Sequence, residues 1–568
     1  MNRLQLTALL LALLVLGEAL LFLFNPFSSV QQFNGIDAAS IAFLSAAKLL
    51  FAVIISAVIA LLFSNSLDPF FQKISSKKFL YAFIAIYIIV FSLLSFYDFF
   101  SYNAAPPDLY TFENIVWNTL NGRILFLDWH GMNFLGIHSS FILLLLVPFY
   151  ALYQSPLTLL FIQTVLLALG AIPLYLIAKK FLNEKSAIVF SLAYLLYPAL
   201  QFINLREFHE SAFAVPLLLC VFYFLFEENW PAFWLSFALT LLVKETAPLA
   251  LLFLGFYIFL KKDRIIGALA SAASLIYFAA VIFFVIPFFR GAEYAFIAST
   301  QSSYYSHLGS TLGGVISTVV SNPFYVLSYM FLSFQKIGYL LLLFAPAAFL
   351  SLFDLPLLLV GIPVFAQNLL ASDPRIATLF FQYNDYLIAV IFVSAILGLR
   401  NLLNLKQTFF FKNKFTANIS ERINRGLSAF NLAPAFFLSF LFLMAIFSNV
   451  FFSPSPLGLL DPARTQTQFS FEKYAVTEHT AILDRAVAMI PDGASVSADS
   501  LLTSHLAKRS EMEYFPGIID SAEFVFVDQT IPAHASANEA AFVVEELKKS
   551  PLYKVLVDED GVVLLERK

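Results

Sequence analysis

Four short stretches hold most of the side chains able to transfer a proton, bind a phosphate or ligate a metal. The first is the segment 98–138, with Asp98, Asp108, Glu113, Arg123, Asp128, His130 and His138. A carboxylate such as Asp108 at a membrane surface stands where a lipid-linked substrate presents its head group. A lone loop aspartate would simply be solvated, but an idle connector would also be short. Glu113, Trp117 and Leu120 share a face at i, i+4, i+7 spacing, which predicts a helix lying on the membrane surface. The second stretch is Arg206-Glu207-Phe208-His209-Glu210. Glu207, His209 and Glu210 are side chains suited to a divalent metal or a phosphate-linked sugar, though they match no recognised metal-motif spacing and a polar hairpin is the plainer alternative. The third is Lys244-Glu245, between two apolar runs. Charges at membrane depth usually face a cavity or mark a functional site, and an ammonium is a good partner for a lipid phosphate; a neutralised helix junction is the alternative. The fourth runs from Arg290 to His307. Arg290 is a second phosphate candidate, while Tyr304 and Tyr305 fit an interfacial aromatic belt. No phosphate-cradling glycine loop, trusted Ser-His-Asp order or CxxC is visible, so ATP-driven transport and redox chemistry have no support.

The elements that must position these groups are membrane helices. Of 568 residues, 60% are hydrophobic and 12% are charged, with a mean hydropathy of +0.82. Soluble proteins carry about 45–50% apolar and about 25% charged residues. The composition excludes a soluble enzyme and intrinsic disorder, and 68 Phe exceed what an aqueous core of this size could hide. A net charge of −4 argues against a nucleic-acid partner, and the single Cys220 permits no internal disulfide. Apolar runs predict about 13 spans of a polytopic α-helical membrane protein. They are Leu4–Phe24, Ile41–Phe63, Phe79–Tyr97, Leu157–Ala178, Ser186–Ile203, Ser211–Phe226, Pro231–Val243, Thr246–Leu260, Ile265–Phe289, Lys336–Phe353, Leu355–Leu370, Tyr386–Leu399 and Phe430–Phe452. The first lacks a small-residue cleavage site and reads as a retained anchor. Ser139–Tyr153 is apolar but short and reads as interfacial or re-entrant.

Lysine and arginine cluster at Lys73–Lys78, Lys179–Lys185, Lys261–Arg264 and Arg400–Arg425. By the positive-inside rule these face the cytoplasm with the N-terminus, and segments 98–138, 204–210 and 290–335 lie outside. Within the apolar text, Glu18 and Lys48 are isolated charges expected to pair with each other. After Phe452 the charge rises. Glu478–Met489 and Glu539–Lys549 read as helices, and Ala494–Ala498, Glu523–Val527, Tyr553–Val557 and Val562–Leu565 as strands, together a small α/β domain outside the membrane.

Asp108–Gly122, Asn133-Phe134-Leu135-Gly136-Ile137-His138, Gln154–Thr158, Tyr197-Pro198-Ala199-Leu200, Phe208-His209, Leu242-Val243-Lys244-Glu245 and His307-Leu308-Gly309 resemble the domain-of-unknown-function 2079 family of predicted archaeal and bacterial membrane proteins. Segments 494–498, 504–507 and 514–516 look like that family's external tail. The chain departs from the pattern at Pro107, Leu109-Tyr110 and Ile137, so from the Ile137-His138 pair only His138 carries over. The family is similar, distantly, to the GT-C superfamily of membrane glycosyltransferases.

That resemblance implies an extra N-terminal hairpin (1–78), a GT-C-like transmembrane domain (79–452) and an external α/β domain (453–568). It implies sugar transfer from a polyprenyl-phosphate donor to a protein or glycan acceptor at the outer face of a cell membrane, with a divalent metal as an open question. Asp108, Glu207, His209 and Glu210 are the expected catalytic residues. Lys244, Glu245, Arg290, His138 and His307 are the expected substrate-binding residues. A transporter or flippase for a lipid-linked glycan, and a non-catalytic scaffold, are the rival readings.

Overall fold

The computed structural model describes residues 38–103, 107–290, 304–404, 434–461, 464, 468–530 and 537–568. Among them, seven helices are long and apolar enough to cross a membrane: Ser45–Ile74, Lys77–Phe100, Pro156–Phe181, Glu210–Glu227, Arg264–Arg290, Gln382–Leu403 and Pro434–Phe452. The count reaches nine if two bent pairs each form one span, Glu184–Leu195 with Pro198–Leu205 at 44° and Pro323–Phe331 with Phe334–Ala347 at 66°. Phe141–Leu152, Trp230–Leu241, Ala247–Lys261 and Leu355–Leu370 are shorter apolar helices. The expected span Leu4–Phe24, Glu18, Glu293 and the basic residues 406–425 lie outside the described residues.

Burial separates inner from outer helices. The most hydrophobic window of Gln382–Leu403 is 83% buried, whereas that of Arg264–Arg290 is 22% buried and leaves Ile276, Phe283 and Phe284 exposed. An apolar outer surface is what a lipid-facing helix needs. The central helix also needs Gly398, because an added Cβ would strike the Leu350 carbonyl of the chain crossing it.

The segment after the second described span folds against both parts of the molecule. Helix Asp108–Leu120 is followed by a two-stranded antiparallel ribbon, β1 (Phe126–Leu127) and β2 (Met132–Asn133). Here the structure corrects the surface-helix expectation. Glu113 is buried and accepts a hydrogen bond from the Tyr150 hydroxyl at 2.8 Å. Helical periodicity identifies a covered face without saying what covers it. Residues after 500 supply part of the cover: Asn114 Nδ2 donates to the Ala507 and Arg509 carbonyls, and Tyr110 packs with Ala507 and Met512.

Residues 496–567 form a five-stranded sheet in the order β4-β3-β5-β7-β6. Its strands are β3 (Val496–Ala498), β4 (Met512–Tyr514), β5 (Phe524–Asp528), β6 (Tyr553–Glu559) and β7 (Val562–Arg567). β3 runs parallel to β4 and β5; β7 is antiparallel to β5 and β6. Alternate side chains of β5 feed two cores, since successive strand residues point to opposite faces. Phe524 and Phe526 pack with Ile482 and Leu483 of helix Glu478–Met489, and Val525 and Val527 pack with Val544 of helix Ala537–Lys549. The first core includes Tyr102, at the end of the Lys77–Phe100 span. His505 lies stacked between Phe99 and Tyr102, with ring centroids 4.0 and 3.8 Å away, and so joins the sheet unit to that span.

The Lys48 ammonium lies 2.5 Å from the Asp461 carboxylate, beyond the last span, and both are fully buried; its expected partner Glu18 lies outside the described residues.

Candidate functional site

Helix Pro198–Leu205 ends at Arg206, and the chain turns through residues 206–209 before re-entering the bundle at Glu210. Gln163, inside helix Pro156–Leu169, fixes this turn with both ends of its amide. Its Nε2 donates to the Glu207 carbonyl at 2.6 Å and its Oε1 accepts from His209 N at 2.8 Å. Glu207 then points at the start of helix Asp108–Leu120, where Oε2 accepts from the backbone N–H groups of Asp108 and Leu109. A carboxylate at a helix N-terminus satisfies donors that have no partner within the helix and complements its dipole.

Asp108 Oδ2 lies 2.8 Å from His209 Nε2. The His209 side chain is 4% exposed, whereas that of Asp108 is 38% exposed, so the carboxylate opens to a ligand and its partner does not. Burial alone would raise the Asp108 pKa, but the His209 hydrogen bond and the nearby charges of His209, Lys244 and Arg206 outweigh it and hold the carboxyl below the usual range. Glu207 behaves oppositely. Burial and the neighbouring Asp108 charge push it well above the ordinary glutamate value, despite Arg206 and the two backbone donors.

A second tier lies beside this pair. Glu210 Oε1 accepts from Ser140 Oγ at 3.0 Å and stands 3.3 Å from Lys244 Nζ. Burial favours a neutral Lys244, but Glu210 and Glu245 reverse that effect and raise its pKa. Glu245 Oε1 pairs with His138 Nδ1 at 2.8 Å, and its Oε2 accepts from Ser139 N at 3.1 Å. Burial opposes ionisation of Glu245, but His138 and Lys244 carry it down to about 2. Asp385, at the start of helix Asp385–Leu403, is buried within electrostatic reach of His209, Lys244 and Glu210. Ser211 lies beside its carboxyl, while His209 Nδ1 and Glu210 Oε2 have no hydrogen-bond partner among the described residues.

The structure thus brings together Asp108, Glu207, His209, Glu210, Lys244, Glu245 and His138. It places His307 elsewhere, stacked on Tyr329 with centroids 4.2 Å apart. Arg290 ends a helix whose backbone packs on Gly136, and its charge is felt at His130. Among the described residues no three His, Cys, Asp or Glu groups converge as metal ligands, and Glu207 is engaged by backbone N–H groups. Sequence reading passed over Gln163, Asp385, Tyr383 and Tyr514. Tyr383 is close enough to feel Asp108 and Lys244, and Tyr514 of β4 feels Asp108 and Glu207. A polar residue inside an apolar run was the available signal for Gln163, and a carboxylate at the start of one for Asp385.

Several solved structures are similar to this chain. ArnT from Cupriavidus metallidurans bound to undecaprenyl phosphate aligns at 11% identity and a TM-score of 0.47, covering 86% of this chain and 98% of that one. The oligosaccharyltransferase of Archaeoglobus fulgidus in the apo form aligns at 14% identity and a TM-score of 0.40, covering 83% of this chain and 69% of that one. The archaeal oligosaccharyltransferase AglB from Archaeoglobus fulgidus, with an inhibitory peptide and a dolichol-phosphate, aligns at 12% identity and a TM-score of 0.36, covering 87% and 74%. A search of curated proteins gives no match. The sequence matches, over residues 99–564, the family described as predicted membrane protein DUF2079, and the chain belongs to that family.

Proposed function

We propose that the chain is a membrane glycosyltransferase, moving a sugar from a polyprenyl-phosphate-linked donor to an acceptor at the outer membrane face. The observation that carries this reading is the exposed Asp108 carboxylate backed by the buried His209. A half-exposed carboxylate held ionised beside cations is suited to take a proton from an acceptor hydroxyl or amide. The acceptor atom attacks the anomeric carbon, the bond from that carbon to the phosphate oxygen breaks, and the acceptor proton passes to Asp108. The phosphate departs with the bonding pair and its charge is stabilised by Lys244 and Arg206, both within electrostatic reach of Asp108. Arg290, His138 and Glu245 have supporting roles, Glu245 by fixing His138 and balancing Lys244.

The same reading puts the N-terminus inside, residues 1–78 as an added hairpin, 79–452 as the catalytic membrane domain with about 13 spans in the chain, and 453–568 outside. Tyr514 gives the sheet unit a side chain beside the Asp108 site, suited to acceptor docking. A transporter would line its path with ionisable groups near the midplane; here Asp108, His209, Glu210 and Lys244 gather in turns and at helix ends.

The test is turnover of a synthetic polyprenyl-phosphate sugar by the purified protein. Sugar released or transferred by the wild type, and lost with Asp108→Asn, supports the assignment. Movement of the intact lipid across vesicles without turnover would replace it with transport.

A further inference from the structure

His479 stands in the first turn of helix Glu478–Met489 and reaches across the end of the sheet to two carboxylates. Its Nε2 lies 2.8 Å from Asp528 Oδ2, at the end of β5. Its Nδ1 lies 2.9 Å from Asp560 Oδ2, in the turn between β6 and β7. The two partners are unlike. The Asp528 side chain is 1% exposed, and its Oδ1 accepts from Thr530 N at 2.9 Å and Thr530 Oγ1 at 2.7 Å. The Asp560 side chain is 60% exposed, and among the described residues His479 alone holds its carboxylate. Asp560 and Gly561 have φ of +50° and +80°, as a two-residue hairpin turn of this hand requires. Gln529 N donates to the Gly561 carbonyl at 2.9 Å, so the turn rests on the end of β5.

A neutral imidazole carries one N–H and one lone pair, so it can donate to only one of two carboxylates. Both contacts at once require the imidazolium. The surroundings agree: burial lowers the His479 pKa, but the hydrogen bonds and charges of Asp528 and Asp560 outweigh it and raise it above 6.5. The other charges around the turn have partners of their own, Arg485 with Glu559 at 2.8 Å and Lys548 with Asp558 at 2.9 Å. Behind Asp528, Asp499 Oδ2 accepts from its N–H at 2.7 Å, and Glu478 precedes His479 on the helix. We infer that His479 is a pH-sensitive latch, which as imidazolium ties helix Glu478–Met489 to the β6–β7 turn and on losing its proton releases Asp560. The contact to Asp528 keeps the remaining N–H, because a buried carboxylate facing a lone pair is costly whereas the exposed Asp560 turns into water. A raised folded-state value means that the latch is closed below pH 6.5 and opens as pH rises through that value. The inference concerns the sheet unit and does not depend on the transferase reading.

Hydrogen exchange of the full chain in detergent micelles, corrected for the intrinsic rate at each pH, tests it at Gln529 and at residues 559–562. From pH 7 to pH 9 wild-type exchange there should rise about tenfold, the scale of one lost charge-assisted hydrogen bond, while β3 stays unchanged. Burial pushes Asp499 up to about 6, so that carboxyl stays ionised across this range. His479→Gln cannot gain or lose a proton and should exchange equally at both pH values. Asp560→Asn suits the left-handed turn position, and its amide can accept from the imidazolium or donate to the neutral ring. It should stay protected at both pH values, and it carries the test if His479→Gln fails to fold. Equal wild-type exchange at pH 7 and pH 9, or an equal rise in β3, would overturn the latch. A wild-type rise persisting in a folded His479→Gln or in Asp560→Asn would overturn it as well.

Discussion

Glu207 caps the helix that begins with Asp108: its Oε2 accepts from Asp108 N at 3.1 Å and Leu109 N at 3.3 Å, from 99 and 98 positions further along the chain. Pro107 precedes that helix and gives no side-chain cap, so the orphan donors of its first turn depend on this long-range carboxylate. Glu207 therefore positions Asp108 through the backbone, while His209 meets its carboxylate directly.

Glu207→Ala should cost about 0.5–2 kcal/mol, the scale of a lost N-cap, and reduce turnover by loosening Asp108. Glu207→Gln keeps an acceptor oxygen in the same place and should restore both stability and turnover. A Gln variant as inactive as the Ala variant would show that the charge of Glu207, and not its position as a cap, is what the site uses.

Asp108→Asn should lower turnover about 10²–10⁴-fold, the usual range for a positioned base, with lipid binding unchanged. The wild-type pH profile gives a second check. Because the Asp108 pKa is lowered from 3.8, activity should not fall on account of this carboxyl until the pH is below that value. An acid limb near 6 that vanishes in a still-active Asp108→Asn protein would contradict the assigned proton acceptor.

Glu113 makes stability depend on pH. Burial pushes its pKa from 4.5 up to about 7, against the Tyr150 hydrogen bond and the Lys508 charge. Between those values the unfolded chain releases the proton and the folded chain keeps it, so stability falls as pH rises from about 4.5 to about 7. Thermal unfolding at pH 5 and pH 8 should show a drop for the wild type and a smaller one for Glu113→Gln. Equal pH dependence in the two would mean that Glu113 ionises freely in the folded protein.

Much of this site was legible because charge is rare in the apolar text. Asp108, Glu207, His209, Glu210, Lys244 and Glu245 stand out as islands, and the fold brings those islands together. What was hidden depends on contacts between distant residues. Lys48 has its partner 413 positions away, and Asn114 reaches carbonyls 393 and 395 positions away. Local periodicity carries no information on such pairings, so the helix beginning at Asp108 read as lying on lipid when protein covers it. Helix Pro323–Phe331 fell within a segment read as an outer loop, since nine residues are too few to register as a span.

The Lys48–Asp461 pair should behave as a buried ion pair. Lys48→Met removes the ammonium from the buried Asp461 carboxylate, which Gln468 Nε2 also meets at 3.2 Å, and should cost about 3–5 kcal/mol in unfolding experiments in detergent. Lys48→Met with Asp461→Asn removes both charges and should recover most of that loss. If the double variant is as unstable as the single one, packing around Lys48, not charge pairing, holds the first described span to residue 461.

Orientation can be read from two exposed lysines on the proposed opposite sides. Lys549 ends the helix Ala537–Lys549 with a 70% exposed side chain, and Lys262 follows the apolar helix Ala247–Lys261 in a basic turn. The native Cys220 would first be replaced by Ser, so that each introduced cysteine is the sole thiol. In intact cells, a membrane-impermeant maleimide should label Lys549→Cys, and it should label Lys262→Cys only after the membrane is opened. The positive-inside bias demands this outcome if the basic turns stay in the cytoplasm while the sheet unit, which packs on the Asp108 helix, lies outside with it. Labelling of both positions from the same side would break the link between the basic turns and the inner face. The donor would then have to be met on the cytoplasmic side or the spans counted differently between residues 262 and 549.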